Sequence, residues 1–120
     1  MINFSINGFG RIGRSVTRVW LGKHISSLNL TAINTSGSLG VSGWAYLLKY
    51  DTAYGTLPYE VTSEEINTPE TVTDENPLLG FIVVSHPEKE IKIPVLAQRS
   101  PEKIPWQKYD ADIVIESTGA

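Results

Sequence analysis

The hexapeptide Gly8-Phe9-Gly10-Arg11-Ile12-Gly13 constrains this chain more than any other feature. Ahead of it, Ile2, Phe4 and Ile6 alternate with Asn3, Ser5 and Asn7, the period-two pattern of a strand. Behind it, Ile12, Val16, Val19 and Trp20 fall on one face of a helix. A glycine loop that closes a strand and opens a helix leaves the first helical N–H groups unpaired, and the helix dipole adds positive potential there. Such a turn is a ready site for an anion. Gly8 lets the chain turn sharply, Gly10 lets a pyrophosphate approach the backbone, and Gly13 lets the helix lie close to the strand. A second strand, Leu28–Asn34, supplies the context that a dinucleotide fingerprint requires.

The remaining pattern extends this beginning. Gly22 is expected just past the end of the first helix, with Lys23 and His24 near its negative pole. Val41, Trp44, Ala45 and Leu48 predict a short helix ending near Tyr50. The order β-α-β-α builds a parallel sheet, so the expected class is α/β, a Rossmann-type parallel sheet with a hairpin excursion. Between Lys49 and Lys89 there is no lysine or arginine, whereas Asp51, Glu60, Glu64, Glu65, Glu70, Asp74, Glu75 and Glu88 all occur. This stretch reads as a solvated excursion, with an acidic docking surface as the alternative. Phe81–Ser85 and Glu90–Ala97 suggest the hairpin, and Pro94 argues that its second strand is an edge strand. Ser100-Pro101-Glu102 starts a single helical turn, and Ala111–Ile115 reads as a buried strand. No internal repeat or low-complexity tract is present.

Composition narrows the chemistry. The 120 residues, 41% hydrophobic, form one domain or a piece of a larger one. A net charge of −3 gives no footprint for nucleic acid. No run approaches 18 apolar residues, and no basic region followed by a long apolar stretch opens the chain. A cytoplasmic protein without a membrane span or secretory signal is therefore expected. With no cysteine, thiol catalysis and thiolate metal sites have no residues to work with, and His24 and His86, the only histidines, lie too far apart in sequence to suggest a His-based metal cage or a Ser-His-Asp triad. No catalytic or metal-ligating residue is assigned. The two histidines read as solvated loop residues, Trp20 and Trp44 as core, and Trp106 as a structural anchor. Lys49, Tyr50 and Asp51 are expected to organise a helix end or a subunit contact.

Two positions bear on the ligand. Arg11 and Arg14 oppose the dipole in the first helical turn, by roughly 0.3–1 kcal/mol each when exposed, and a bound phosphate would reverse that sign. A solvated or interface role is the alternative for each. At the end of the second strand, where an acidic residue normally binds the adenosine ribose, the sequence reads Ala32-Ile33-Asn34-Thr35. A carboxylate would repel a 2′-phosphate and a hydroxyl would not. Thr35 therefore permits NADP beside NAD without demanding it, unless it merely caps the loop.

The run Ile6-Asn7-Gly8-Phe9-Gly10-Arg11-Ile12-Gly13-Arg14 resembles phosphorylating glyceraldehyde-3-phosphate dehydrogenase. In the same order follow Ala32-Ile33-Asn34, Leu47-Leu48-Lys49-Tyr50-Asp51, Arg99-Ser100-Pro101 with Trp106, and Glu116-Ser117-Thr118-Gly119. The resemblance spans the chain apart from the acidic stretch of roughly Glu60 to Pro77. It implies a site for NAD or NADP made by Asn7, Gly8, Phe9, Gly10, Arg11, Ile12 and Gly13, with Arg11 and Ile12 offering backbone N–H groups to the pyrophosphate. Asn34, Thr35 and Arg99 would meet the adenosine half, and Ser117, Thr118 and Gly119 the nicotinamide side. Thr35 replaces the family's ribose-binding aspartate. The resemblance further implies a homotetrameric full-length enzyme whose nucleophilic cysteine and activating histidine lie downstream. Residues 1–120 would then be the N-terminal part of a dinucleotide-binding domain, cut after the Ile113–Glu116 strand, without a catalytic domain and inactive alone. Such a cut leaves an apolar sheet edge, expected to make the chain marginally stable or self-associating. Erythrose-4-phosphate dehydrogenase, a stand-alone nucleotide-binding module and an S-adenosylmethionine binder are the alternatives.

Overall fold

The computed structural model describes residues 1–51 and 55–118. Strand β1 (Ile2–Asn7) leads through the glycine loop into helix α1 (Arg11–Val19). Strand β2 (Leu28–Asn34) and helix α2 (Val41–Lys49) follow. The two-residue strands β3 (Tyr50–Asp51) and β4 (Gly55–Thr56) pair antiparallel. Next come β5 (Glu60–Glu65), β6 (Leu78–Ser85) and β7 (Glu90–Leu96), two single 3₁₀ turns at Pro101–Lys103 and Trp106–Tyr109, and β8 (Ile113–Glu116).

Six strands form one sheet in the order β5-β6-β7-β2-β1-β8. The pairs β7–β2, β2–β1 and β1–β8 are parallel, whereas β5–β6 and β6–β7 are antiparallel. Strand β7 therefore joins a four-stranded parallel half to an antiparallel meander. The α/β class and the hairpin expected from the sequence are both present. So are β2, α2 and the Pro101 turn, at or within a residue of their expected limits.

The core lies where the helices meet the sheet. Phe4 packs edge-on against Trp20 with centroids 5.9 Å apart, and Phe9 does the same against Trp44 at 6.0 Å. Both indoles are buried, and each finds a backbone acceptor: Trp20 Nε1 donates to Leu28 O at 2.8 Å and Trp44 Nε1 to Leu39 O at 3.1 Å. A buried indole needs such a partner, since an unpaired N–H would offset much of the gain from burying the ring. The helix end expected at Lys49–Asp51 is organised by cations. Arg18 Nη2 donates to Leu48 O and Lys49 O, carbonyls that α2 leaves unpaired, and Lys49 Nζ reaches Leu57 O and Tyr59 O.

Several expectations need correction. Gly22 does not end a helix with a left-handed residue, because the chain continues through it in a wider π turn, Trp20–His24. Trp20 and Leu21 are buried within that turn and hold it against the core. Pro94 does not mark an edge strand. Strand β7 is interior, but its ladder with β2 begins only at Val95, so Pro94 pairs with Phe81 alone. The missing N–H is tolerated for that reason. Strand β8 is an edge strand and not a buried one, with Ile113 52% exposed.

The acidic stretch is not simply a solvated excursion either. Its first part, β5, pairs with β6 as the opposite edge of the sheet. Exposed Glu60, Thr62 and Glu64 alternate there with half-buried Val61 and Ser63. Glu64 meets Lys92 at 3.0 Å. Charges on an edge strand deter pairing with another chain.

His86 is not a free solvated side chain, whereas His24 is exposed as expected. The His86 Nδ1 accepts the Glu88 N–H at 3.1 Å, which leaves the proton on Nε2, and Nε2 donates to Leu21 O at 2.9 Å. The ring also lies 4.7 Å from that of Tyr59. His86 thus ties the β6–β7 turn to the π turn. Replacing His86 with Ala is expected to destabilise the fold by about 1–2 kcal/mol, read from the urea midpoint; no change would show the clip to be idle.

Candidate dinucleotide site

Strands β7, β2, β1 and β8 run in parallel, so Leu96, Asn34, Asn7 and Glu116 end on one side of the sheet. Ligands of open α/β sheets bind outside these carboxyl ends, where chains leave a strand in opposite directions along the sheet. Here β1 leads through α1 to β2 on one side, and β8 lies on the other. A cleft of about 680 Å³ occupies this position, within the range of small-molecule sites.

The glycine loop forms one wall. Gly8 has φ +103°, and its N–H donates to Asn34 O at 2.9 Å. A Cβ there would stand 2.7 Å from Thr118 N and 2.8 Å from Ser117 C. A Cβ on Gly13 would stand 2.2 Å from Gly8 O. Ser117 completes the contact, its hydroxyl donating to Gly8 O at 2.7 Å and its N–H to Asn7 O at 2.8 Å. Gly10 differs from both, because a Cβ there would meet no protein atom within 4 Å. It is the N-cap of α1, no side chain caps that end, and the first turn holds no acidic residue. The leading N–H groups are left for an anion, and the bare Cα of Gly10 leaves it room.

The opposite wall is built from β2 and the segment after β7. Asn34 is 4% exposed. Its Nδ2 donates to Asn7 Oδ1 and Gln98 O, both at 3.0 Å, and its Oδ1 accepts the Gln98 N–H at 2.9 Å. Thr35 is also buried, donating to Leu96 O at 2.8 Å and accepting the Gly37 N–H at 3.2 Å. The Thr35 hydroxyl therefore caps its own loop, and the exposed hydroxyl that this loop brings to the cleft belongs to Ser36. The Arg99 guanidinium lies beside this loop, 3.6 Å from where a Gly37 Cβ would stand. The Gln98 side chain braces the same segment, accepting the Ser100 N–H at 3.1 Å and donating to Asp74 O at 3.3 Å. Asp74 also pairs with Lys103 at 2.8 Å, and this hydrogen bond, with the carboxylate's charge, raises the Lys103 pKa above its ordinary value.

Of the residues singled out in the sequence, Asn7, Gly8, Phe9, Gly10, Asn34, Thr35, Arg99, Ser117 and Thr118 line the cleft. Gly13 lies behind Gly8, and Gly119 falls outside the described residues. Arg11 and Ile12 line a separate apolar groove with Ile2, Phe4, Val16 and Ile113 and are not among the residues that line the cleft. Arg14 does not face the cleft either. Its Nη1 donates back to Phe9 O at 3.0 Å. Burial lowers its pKa against the pull of Asp51, and the charges of Arg11 and Arg18 act in the same direction as burial. The expected reversal of the dipole penalty by a phosphate therefore does not extend to the side chains of Arg11 and Arg14, and the helix N-terminus alone faces the cleft at Gly10. Ser36, Trp44, Gln98, Pro101, Ile104 and Glu116 also line the cleft and carry no site role in the sequence reading. Gln98 and Glu116 adjoin Arg99 and Ser117, and that adjacency was the available signal.

A family model described as the NAD binding domain of glyceraldehyde 3-phosphate dehydrogenase matches residues 2–120. The chain is 41% identical over 118 residues to the chloroplastic glyceraldehyde-3-phosphate dehydrogenase B of Pisum sativum, which covers 98% of this chain and 22% of the relative. It is 37% identical over 120 residues to glyceraldehyde-3-phosphate dehydrogenase 2 of Trichormus variabilis, covering 99% and 30%. It is 41% identical over 119 residues to glyceraldehyde-3-phosphate dehydrogenase 1 of Bacillus cereus, covering 99% and 29%. The chain thus spans less than a third of the length of these relatives.

The glycine geometry separates two substitutions that look alike in sequence. Gly13→Ala sets a methyl against a backbone carbonyl and is expected to cost about 3 kcal/mol or more. Gly10→Ala meets no protein atom and is expected to cost about 1 kcal/mol or less, as a poorer N-cap. Denaturant melts of the two variants check the order.

Proposed function

The chain belongs to the family of glyceraldehyde-3-phosphate dehydrogenase NAD-binding domains, and from that premise we propose how its residues hold the cofactor. The pyrophosphate rests over Gly10 on the backbone N–H groups of Arg11 and Ile12. The adenosine half lies toward Asn34, Thr35, Ser36 and Arg99, and the nicotinamide half toward Ser117, Thr118 and Gly119. One observation carries this reading: the uncapped start of α1 opens into the cleft over the one loop glycine whose missing side chain leaves room for something other than protein.

The cofactor supplies a hydride acceptor when bound. The chain's own part is to bind and orient it, since no residue here is a cysteine able to attack an aldehyde. Residues 1–120 are read as the N-terminal part of the dinucleotide-binding domain of a larger protein. That protein would oxidise and phosphorylate glyceraldehyde 3-phosphate, and these residues alone would be inactive. Exposed Ile2, Ile12, Val19 and Ile113 give it apolar surface to bury against further polypeptide, in keeping with a homo-oligomer.

Both NAD and NADP suit the adenosine end. No carboxylate stands at position 35 to repel a 2′-phosphate. The Arg99 guanidinium beside Gly37 supplies the cation that the sequence near Thr35 lacks, and among the described residues no carboxylate forms an ion pair with it.

Calorimetric titration of the chain with each cofactor is expected to give NADP affinity within about tenfold of NAD. Gly10→Ala is expected to weaken both by tenfold or more without unfolding the chain, and Arg99→Ala to weaken NADP by about tenfold while moving NAD far less. Absence of binding by well-folded protein would overturn the reading, and NADP binding a hundredfold weaker than NAD would overturn its dual form.

A further inference from the structure

We infer that Glu116 is a positioning residue of the cleft, acting through Asn7 and Asn34 to place the Gln98–Arg99 segment at the opposite end. The inference rests on the dinucleotide reading for its consequence in binding, but not for its geometry.

The direction of this hydrogen-bond relay is determined one link at a time. The Gln98 backbone offers one N–H and one C=O to Asn34, which must answer with its Oδ1 and its Nδ2 respectively. The second Nδ2 hydrogen of Asn34 then points at Asn7 Oδ1. Asn7 is left with its NH₂ facing β8, where only an acceptor can satisfy it. Glu116 supplies both carboxylate oxygens, each 3.0 Å from Asn7 Nδ2, and one of them also accepts the Thr118 hydroxyl at 3.0 Å. Asn7, Asn34 and Gln98 are 8%, 4% and 3% exposed. Glu116 itself is exposed, but water cannot readily replace a lost link between Asn7, Asn34 and Gln98, and the low local dielectric strengthens those bonds. One carboxylate thus gathers the ends of β8 and β1, and through them the end of β2 and the segment that carries Arg99.

The sign of the effect separates this role from a plain charge. A carboxylate lining the cleft of a phosphate ligand repels that ligand. If Glu116 acted only by its charge, removing it would tighten binding. If it acts through Asn7, removing it takes away the carboxylate that orients the Asn7 amide, loosens the far wall and weakens binding.

In NAD titrations of the chain, Glu116→Ala is expected to weaken binding by about tenfold. Glu116→Gln, which keeps an acceptor for Asn7 without the charge, is expected to recover most of that loss. Combined with Asn34→Ala, Glu116→Ala should add little to the loss caused by Asn34→Ala alone, because both cut one relay. Tighter or unchanged binding in Glu116→Ala, or losses that simply multiply, would overturn the inference. Amide resonances of the ligand-free chain give a readout independent of binding. The Asn34 side-chain NH₂ and the Gln98 N–H should shift in Glu116→Ala and return toward wild type in Glu116→Gln. If wild-type protein failed to bind NAD while these shifts appeared, the functional reading would fail and the relay would stand. Unmoved resonances in a folded variant would overturn the relay itself.

Discussion

Three stretches of backbone meet at the glycine loop too closely for a Cβ on Gly8 or Gly13, and the rest of the molecule is arranged to allow it. The Gly8 carbonyl sits where a Gly13 Cβ would be, and the turn after β8 sits where a Gly8 Cβ would be. Close approach of this kind sets the start of α1 directly against the ends of β1 and β8. The contact is held by Ser117, whose hydroxyl and N–H both reach back to the loop. It places the positive pole of a helix at the carboxyl end of a parallel sheet, an arrangement that concentrates unpaired N–H groups in one cleft.

The loop is also held from beneath and from the side. Phe9 is 1% exposed and packs edge-on against Trp44, so the residue between Gly8 and Gly10 is anchored in the core. Arg14 grips the Phe9 carbonyl, and Arg18, one turn on, grips the carbonyls at the end of α2. Arg14 ties α1 to its own glycine loop, and Arg18 ties the last turn of α1 to the end of α2. They are structural cations, which explains why Arg14 does not reach the cleft that its place in the first helical turn suggests. The cleft itself has a cation at one end, Arg99, and a carboxylate at the other, Glu116, bridged by neutral buried amides.

The fold was legible in sequence wherever it depends on near neighbours. The alternation of β1, the helical faces of α1 and α2, the span of β2 and the β6–β7 hairpin are all periodicities of 2 or 3.6 residues. The misreadings share one physical cause, dependence on a partner distant in the chain. Val61 and Ser63 do alternate within the acidic stretch, but a charged edge strand shows itself only when β6 lies beside it. Pro94 looks incompatible with an interior strand until the β2 ladder is seen to begin one residue later. His86 looks solvated until Leu21 and Tyr59 are brought to it.

The candidate site divides in the same way. By itself the sequence determined that a strand, a bare glycine turn and a helix would present N–H groups to an anion, because these properties need only local chain geometry and the absence of Cβ atoms. Only the tertiary structure decided which polar groups remain free to meet a ligand. Thr35 is taken by Leu96 O, Asn34 by Gln98 and Asn7, and Arg14 by Phe9 O, while Arg99 is carried to a loop with no nearby cation of its own. The reason is competition. A buried donor or acceptor must be satisfied, and whether a protein group satisfies it first depends on what the fold brings within 3 Å.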